Sequence, residues 1–538
     1  MVIKRRFGLL FISLLGSLML WLAWPVSPLN LLLFVAWVPL LWVERRAGNW
    51  KKLFALVYLH MFCWNILVTW WIWNASLPGA LGAFFANSLI MCVPWLLFHF
   101  TRRVLGTWIG YGALIIYWIS FEYLHHNWEL SWPWLTLGNA FATHPEWVQW
   151  YEYSGASGGT LWILLGNILA FSVLQEYRSR GRTRAYYIQI ATFIGVLLIP
   201  ILLSIPIRSK ERAIASAALP DATRNVVVVQ PNIDPYTEKF TGSVESQIQR
   251  LIVLSEKQID NNTGLVIWPE TAIPAQAWEN EIKGNFFYNP VWSFLNRHPR
   301  ISLLTGIDSY REYGKDKSKA TRTARMDPGS GIYYDAFNTA AFFDADTSIQ
   351  LYHKAKLVPG VETLPSFLSF MGKWFEDFGG ISGTLGRDSE RKVFVPWDEH
   401  FKVAPIICYE SIYGDYITEY VRKGANILTI ITNDGWWGNT PGYKQHMNYA
   451  RLRAIETRKW VARSANTGIS CFIDPLGNVI NPQPWDSATS IKLFIPIDNR
   501  QTFFVRNGDI LSRSSVFVAG IVFLSSIVFW IRNRRRKK

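Results

Sequence analysis

Three reactive side chains follow apolar segments of this 538-residue chain. Glu270 comes directly after L-V-I-W-P at 265–269, Cys408 comes after A-P-I-I at 404–407, and Lys354 lies between them in Y-H-K. Open α/β sheets carry their chemistry on loops beyond the strand ends. A thiol of ordinary pKa, about 8.5, is mostly protonated at neutral pH, so a nucleophilic cysteine needs a base and a cation. Glu270 can accept the thiol proton, and Lys354 can stabilise a thiolate and a developing oxyanion.

Each of these residues also has a purely structural interpretation. A single Glu or Lys in a loop is usually a solvated charge, and a Cys after an apolar run is usually a small buried hydrophobe. Cys408 can alternatively pair with Cys471. The sequence contains no H-E-x-x-H or Walker motif, so zinc-protease and P-loop phosphate-binding chemistries are not indicated.

An α/β layer domain is predicted to carry these residues, over 207–513. Apolar β-rich runs are typical of strands covered on both faces of a sheet. The predicted strands are Asn225–Gln230, Leu265–Trp268, Ser302–Gly306, Asn338–Phe343, Val403–Cys408, Asn426–Thr432, Ile469–Ile473 and Ile491–Ile495. Helical periodicity predicts helices at 245–258 and 443–463.

The remainder of the chain is predicted to be a membrane domain, over 1–206 and 514–538. Only 17% of residues are charged and 50% are hydrophobic, which argues against one soluble globule, and four Cys cannot form a disulfide scaffold of this size. About eight transmembrane helices are predicted from charge-free runs near Phe7–Trp24, Leu29–Val43, Leu53–Trp73, Pro78–Phe100, Val104–Phe121, Ala156–Leu174, Tyr187–Pro206 and Ser515–Ile531.

The basic residues predict the orientation of these helices. Lys and Arg in short loops stay on the cytoplasmic side. The two termini and the alternate connections together hold 19 of the 54 Lys and Arg, and the short loops between them hold none. Both termini are therefore expected in the cytoplasm, with 207–513 on the outer face. The net charge of +15 is then a topology signal and does not indicate nucleic-acid binding.

Two features of the membrane half, the connection at 122–155 and the number of tryptophans, need an explanation beyond spanning helices. The connection at 122–155 is too polar to span and too aromatic for a solvated loop, so we expect a re-entrant or interfacial segment. It contains His125 and His126, which have no further ligand at zinc spacing. Eighteen of the 28 Trp precede Pro206, and interfacial aromatic belts are expected to account for most of them.

The order W-P-E, then Y-x-K-x-x-L-V-P, then C-Y-E resembles the nitrilase, or carbon–nitrogen hydrolase, superfamily. Multiple N-terminal spans, an outer domain of this kind and one closing span further resemble the apolipoprotein N-acyltransferase family. The segments T-N-D-G-W-W-G at 432–438, Q-H at 445–446, R-A-I-E at 453–456, N-T-G at 466–468 and S-W-P-W at 131–134 agree with that family. The resemblance implies an αββα sandwich for 207–513.

The resemblance also implies a role for each site residue. Glu270 is similar to the family's general base, Lys354 to its oxyanion-stabilising lysine and Cys408 to its nucleophile. The supporting residues that it implies are Glu362, Tyr409 and Glu410.

The implied activity is transfer of an acyl chain from a phospholipid, through a thioester on Cys408, to the amine of a diacylglyceryl-cysteine lipoprotein. It implies a bacterial inner-membrane enzyme with a periplasmic catalytic domain, membrane lipids around it, a monomeric state, and neither cofactor, metal nor nucleic acid. Two rivals remain, a membrane-tethered amidase that passes the acyl group to water and a catalytically inactive lipid-binding protein.

Two segments depart from the family's pattern, and a third has two possible interpretations. P-G-V-E at 359–362 stands where the family has P-F-G-E, which affects the backbone before Glu362. E-T-R-K at 456–459 replaces E-T-G-R, on a helix away from the triad. The aromatic stretch 364–378 is expected either to pack in the core or to form a lid against acyl chains.

Overall fold

The computed structural model describes residues 2–216, 223–239, 241–346, 348–367 and 384–536. The chain forms two compact units. The helical unit comprises 1–72, 79–208 and 507–538, and the α/β unit comprises 73–78 and 209–506.

The helical unit is built from long apolar helices. Five of the described helices are long and apolar enough to cross a membrane; they span Trp50–Thr69, Leu77–Leu105, Ala156–Arg180, Arg184–Ile214 and Ile510–Arg535. The helices of this half are α1 Val2–Ala23, α2 Val38–Arg46, α3 Trp50–Thr69, α4 Leu77–Leu105, α5 Thr107–His125, α6 Ala156–Arg180 and α7 Arg184–Ser216, and the closing helix α12 is Ile510–Arg535. An apolar stretch within α1, Gly8–Ala23, is shorter than these five.

The segment 29–43 is not the single helix that the sequence indicates. A short 3₁₀ helix, Asn30–Phe34, is followed by α2, which begins at Val38. Pro39 lies in the first turn of α2, where a missing backbone N–H costs nothing. The proline therefore marks the start of a second helix.

Tryptophan forms much of the core of the helical unit. Trp24, Trp37, Trp64, Trp95 and Trp118 are all buried. Their rings contact one another, with centroids 4.4 Å apart for Trp37 and Trp118 and 5.3 Å apart for Trp24 and Trp64. Aromatic pairs of this geometry add to the energy of burial. These residues pack the bundle, so an interfacial belt does not explain them.

The connection 122–155 folds into short 3₁₀ helices that are largely buried. Glu122, at the end of α5, holds it in place: its carboxylate accepts hydrogen bonds from the backbone N–H of Leu137 at 2.8 Å and from Thr160 Oγ1 at 2.7 Å. A buried carboxylate needs such donors, which explains a polar residue in an apolar setting.

The α/β unit contains two sheets. The strands are β1 Thr223–Gln230, β2 Thr263–Ile267, β3 Ile273–Trp278, β4 Ser302–Gly314, β5 Arg325–Met326, β6 Tyr333–Phe343, β7 Ile349–His353, β8 Val403–Ile407, β9 Ile427–Thr432, β10 Trp460–Ala465, β11 Cys471–Ile473, β12 Val479–Ile480 and β13 Thr489–Pro496. The first sheet runs β13-β1-β2-β4-β6-β5, with β3 on β4 and β7 on β6; the second runs β12-β11-β10-β9-β8.

These sheets form the middle of a four-layer sandwich. The helices of this unit are α8 Val244–Glu256, α9 Asn289–Arg297, α10 Gly414–Arg422 and α11 Pro441–Thr457. Helix α8 packs on β1, β1 packs on β10 of the other sheet, and β10 packs on α11. The predicted αββα fold is confirmed.

One predicted helix, 443–463, extends six residues too far at its C-terminal end. Helix α11 ends at Thr457, and 460–465 is strand β10, parallel to β9. Arg458 ends the helix in a left-handed conformation, with φ of 54°, at the position where the related family has glycine. Glycine adopts that conformation at no steric cost, so its absence hid the helix end.

Candidate active site

Glu270 lies on the loop after β2. Strand β2 ends at Ile267, and Glu270 follows three residues later. The loop turns through Thr271, whose φ is 44°, an outlier for a β-branched residue. It packs against Gly306 of β4, where an added Cβ would lie 2.2 Å from the Thr271 nitrogen and 2.6 Å from the Glu270 Cα. Only glycine at 306 therefore allows this loop to approach the sheet.

Lys354 follows the last residue of β7 and is 1% exposed. Its Nζ donates hydrogen bonds to Oε1 of Glu270 at 3.1 Å and to Oε1 of Glu362 at 2.8 Å. Glu362 is held in turn by the Val358 N–H, 2.8 Å from its second oxygen. The structure thus brings together three of the residues that the sequence singles out.

Asn338 joins the same cluster, and sequence reasoning missed it. Its Nδ2 donates to Glu270 at 2.8 Å and to Glu362 at 3.1 Å. The residue lies on β6, in a run that the sequence assigned to a strand. A polar amide at the start of that apolar run is the one signal that could have identified it.

Cys408 begins a 3₁₀ turn immediately after β8 and is 8% exposed. Its φ is 48°, a left-handed conformation that non-glycine residues rarely adopt. Ser411 donates to its carbonyl at 2.7 Å, and His446 Nε2 lies 3.2 Å from the same oxygen. The imidazole is oriented by Asp434, which also binds Arg463 at 2.6 Å. This fully buried network holds the strained turn.

The charges and burial in the cluster give Glu270 and the Cys408 thiol different protonation states. Burial alone would raise the pKa of Glu270, but the Lys354 ammonium and the Asn338 amide outweigh it and hold the pKa below its ordinary value. Burial would lower the pKa of Lys354, which Glu270 and Glu362 instead raise well above its usual range. Burial and the Glu270 carboxylate raise the pKa of the Cys408 thiol well above its ordinary value, against the attraction of Lys354. The resting cluster is therefore a carboxylate, an ammonium and a protonated thiol.

Glu410 lies beside the cluster but does not contact its carboxylates. Its side chain is fully buried and accepts hydrogen bonds from the Ala355 N–H at 2.8 Å, the Ile407 N–H at 2.9 Å and the Tyr352 hydroxyl at 2.6 Å. It therefore ties the segment after Lys354 to the end of β8. Tyr409 is also buried and packs edge-on against Tyr413, with centroids 5.4 Å apart.

The departures from the related family leave the cluster intact. Gly360 has φ of 78°, so this chain places its glycine one residue earlier than P-F-G-E and still brings Glu362 to Lys354. Arg458 and Lys459 are buried away from the cluster, and Lys459 donates to the carbonyls of Asp498 and Arg500.

Two alternatives from the sequence can be compared with the structure. Cys408 and Cys471 are both free thiols, so the disulfide is not formed. Of the aromatic stretch 364–378, expected either in the core or as a lid, residues 368–378 lie outside the described residues, while Phe367 is 56% exposed. Within the described part of the chain, no group of three or more His, Cys, Asp or Glu could hold a metal ion.

Both parts of the chain match known protein families. The family model for carbon–nitrogen hydrolases matches residues 225–498, and that for the apolipoprotein N-acyltransferase N-terminal domain matches 16–169. The chain is 30% identical to an apolipoprotein N-acyltransferase of Chlorobaculum tepidum over 96% of both chains. It is 24% identical to one of Thermotoga maritima, over 96% of this chain and 93% of that protein. Among solved structures, Saccharomyces cerevisiae Nit3, of branch 10 of the nitrilase superfamily, aligns with a TM-score of 0.35 and 16% identity, over 51% of this chain and 90% of Nit3. Since the identity extends along both units, the chain belongs to the apolipoprotein N-acyltransferase family.

Proposed function

We propose that this protein transfers an acyl chain from a phospholipid to the N-terminal amine of a diacylglyceryl-cysteine lipoprotein, through a thioester on Cys408. The observation that carries the proposal is the pairing of an ionised Glu270 with Lys354 beside a buried, protonated thiol. A protonated thiol requires a base at the moment of attack, and Glu270 is ionised to serve as that base.

In the first step, Glu270 takes the thiol proton as Cys408 sulfur attacks the ester carbonyl of the phospholipid. The Lys354 ammonium, with backbone N–H groups next to Cys408, stabilises the oxyanion of the tetrahedral intermediate. The intermediate collapses with cleavage of the ester C–O bond. The protonated Glu270 returns the proton to the departing alkoxide, leaving a thioester and a lysophospholipid.

In the second step, the lipoprotein amine attacks the thioester carbonyl and Glu270 accepts a proton from it. An amide bond forms, the C–S bond breaks, and the proton returns to the Cys408 sulfur. A covalent intermediate replaces one difficult transfer by two easier ones. The same Glu270 therefore acts as base and acid in both halves.

We further propose that the enzyme lies in the bacterial inner membrane as a monomer, with 207–513 in the periplasm and both termini in the cytoplasm. The distribution of 19 basic residues over the two termini and the alternate connections supports this orientation. Cysteines introduced at Arg182 and Ser330, both exposed, test it in intact cells with an impermeant thiol reagent. Labelling at 330 alone is expected, and labelling at 182 alone would reverse the orientation. Mass measurement of the purified enzyme in detergent tests the monomeric state.

The activity is tested with a phospholipid labelled in its acyl chain. Wild-type enzyme incubated with this lipid alone should accumulate hydroxylamine-sensitive label on Cys408, and added diacylated lipopeptide should receive the label as an amide. Cys408→Ala should do neither, whereas Cys471→Ala, which removes another buried thiol, should do both. Release of free fatty acid without thioester accumulation would instead support the amidase, and transfer by Cys408→Ala would refute the mechanism.

A further inference from the structure

We propose that Lys239 is a positioning residue for Glu270, which fixes the loop that carries the base and supplies a second positive charge that keeps it ionised. This inference rests on the proposed function, in which Glu270 is the general base. It adds a residue that the motifs of the sequence do not indicate.

The contact that supports this role is a hydrogen bond to the residue after the base. Lys239 is 6% exposed, and its Nζ donates to Oγ1 of Thr271. Thr271 is the residue in the left-handed conformation, which a β-branched side chain adopts only when its surroundings hold it. Lys239 thus anchors the turn that presents Glu270.

The charges around the base explain why a second cation is needed. Asp308 lies directly opposite Asn338 on the β4–β6 ladder, which puts it next to the amide that binds both Glu270 and Glu362. Burial raises the pKa of Asp308, with Glu270 and Glu362 adding to the effect and Lys239 opposing it. Three carboxyl groups therefore share this site.

Lys354 forms ion pairs with both Glu270 and Glu362, so its single positive charge is shared between two carboxylates. Lys239 interacts electrostatically with both Asp308 and Glu270, and these two partly offset the lowering of its own pKa by burial. A buried ammonium is costly unless it faces negative charge, so the carboxyl groups of Asp308 and Glu270 explain why Lys239 is buried at this site. Removing it should raise the pKa of Glu270, since a nearby opposite charge favours the ionised carboxylate.

The test measures how fast iodoacetamide alkylates Cys408, as a function of pH. The full-length enzyme in detergent is used, and the Cys408 peptide is quantified by mass spectrometry. The Cys408 sulfur reacts with iodoacetamide as Glu270 takes the thiol proton, so alkylation requires an ionised Glu270. We expect Lys239→Met to move the acid limb of the profile upward by on the order of one pH unit. Lys239→Arg, which keeps the charge, should retain the wild-type limb. A Lys239→Met limb that coincides with that of wild type would overturn the proposal.

Two further variants separate positioning from folding. Lys459→Met removes a buried lysine that binds the carbonyls of Asp498 and Arg500, and its profile should match the wild type. Thr271→Val removes only the hydroxyl that accepts from Lys239, so it remains testable if Lys239→Met does not fold. It should move the limb in the same direction, and an unmoved limb would contradict the anchoring role.

Because no lipid is needed, the result does not depend on acyl transfer. Wild-type enzyme that alkylates as expected but transfers no acyl chain would refute the proposed function and leave the role of Lys239 standing.

Discussion

The amide nitrogen of Asn338 lies 2.8 Å from Oε1 of Glu270, while the same nitrogen reaches Glu362 at 3.1 Å. One neutral side chain thereby fixes the separation of two carboxylates that both bind Lys354. Without it, the two would repel each other and compete for a single ammonium.

Asn338→Ala should therefore lower the rate of thioester formation. A hydrogen bond to a charged group contributes about 1.5–3 kcal/mol, so we expect a loss of roughly ten- to a hundredfold in the rate constant. Single-turnover labelling with the acyl-labelled phospholipid measures it. Asn225→Ala, which removes an exposed amide bound to Asp260, is the control. Equal rates for the two variants would contradict a role for Asn338.

Gly306→Ala should abolish acyl-transfer activity, and its effect on thermal stability should be the smaller of the two effects. The added Cβ meets backbone atoms of Thr271 and Glu270, which cannot move aside as a flexible side chain would. The loop, and with it the base, must shift. Gly284→Ala provides the control, because nothing lies within 4 Å of its Cβ. Acyl transfer and thermal unfolding measured together distinguish the two effects, and full activity in Gly306→Ala would show that the loop tolerates displacement.

His353 should make the stability of the α/β unit depend on pH near neutrality. It lies between Asp388 and Glu279, at 2.9 Å and 2.6 Å, and these carboxylates also bind Lys392 and Arg311. Burial alone would lower the pKa of His353, but the two carboxylates outweigh it and raise the pKa above its ordinary value.

Since the folded-state pKa is raised, the stabilisation from His353 is fully present below the unfolded pKa of about 6.5. It is lost as the pH rises through the higher folded pKa. The Tm of the wild type, followed upward from pH 6, should fall more steeply than that of His353→Gln. Parallel curves would mean that the imidazole stays neutral.

Glu410→Gln should destabilise the fold, although the residue is next to the nucleophile. A glutamine cannot accept all the hydrogen bonds that the carboxylate now receives, so at least one buried donor loses its partner. We expect a cost of about 3 kcal/mol in the free energy of unfolding. Glu419→Gln, at surface ion pairs with Arg391 and Lys423, should cost less than about 1 kcal/mol. An unfolding free energy equal to that of wild type would assign Glu410 to chemistry alone.

The sequence predicted strands β2 and β8, and with them the positions of Glu270 and Cys408, because both residues follow strongly apolar runs. It did not predict β3 or β7, and Lys354 follows β7, whose sequence I-Q-L-Y-H mixes apolar and polar residues. It missed β10 because W-V-A-R-S-A continues a helical pattern, and the residue that ends the helix is an arginine. It also missed Asn338 and Lys239. Their roles depend on which strands become neighbours. The amide of Asn338 at the start of an apolar run is a signal, but it does not show which residues that amide will face.

The burial of Cys408 has a consequence for survival of the enzyme in an oxidising compartment, where we place this domain. Thiolates are the form that oxidants and disulfide-forming proteins attack. The high pKa of Cys408 keeps it as a protonated thiol between turnovers, and burial raises the pKa of Cys471 to about 12, so that this thiol is protonated as well. Sulfenic acid formation and mixed disulfides should therefore be slow in the resting enzyme, so a base that acts only during attack also protects the nucleophile from oxidation.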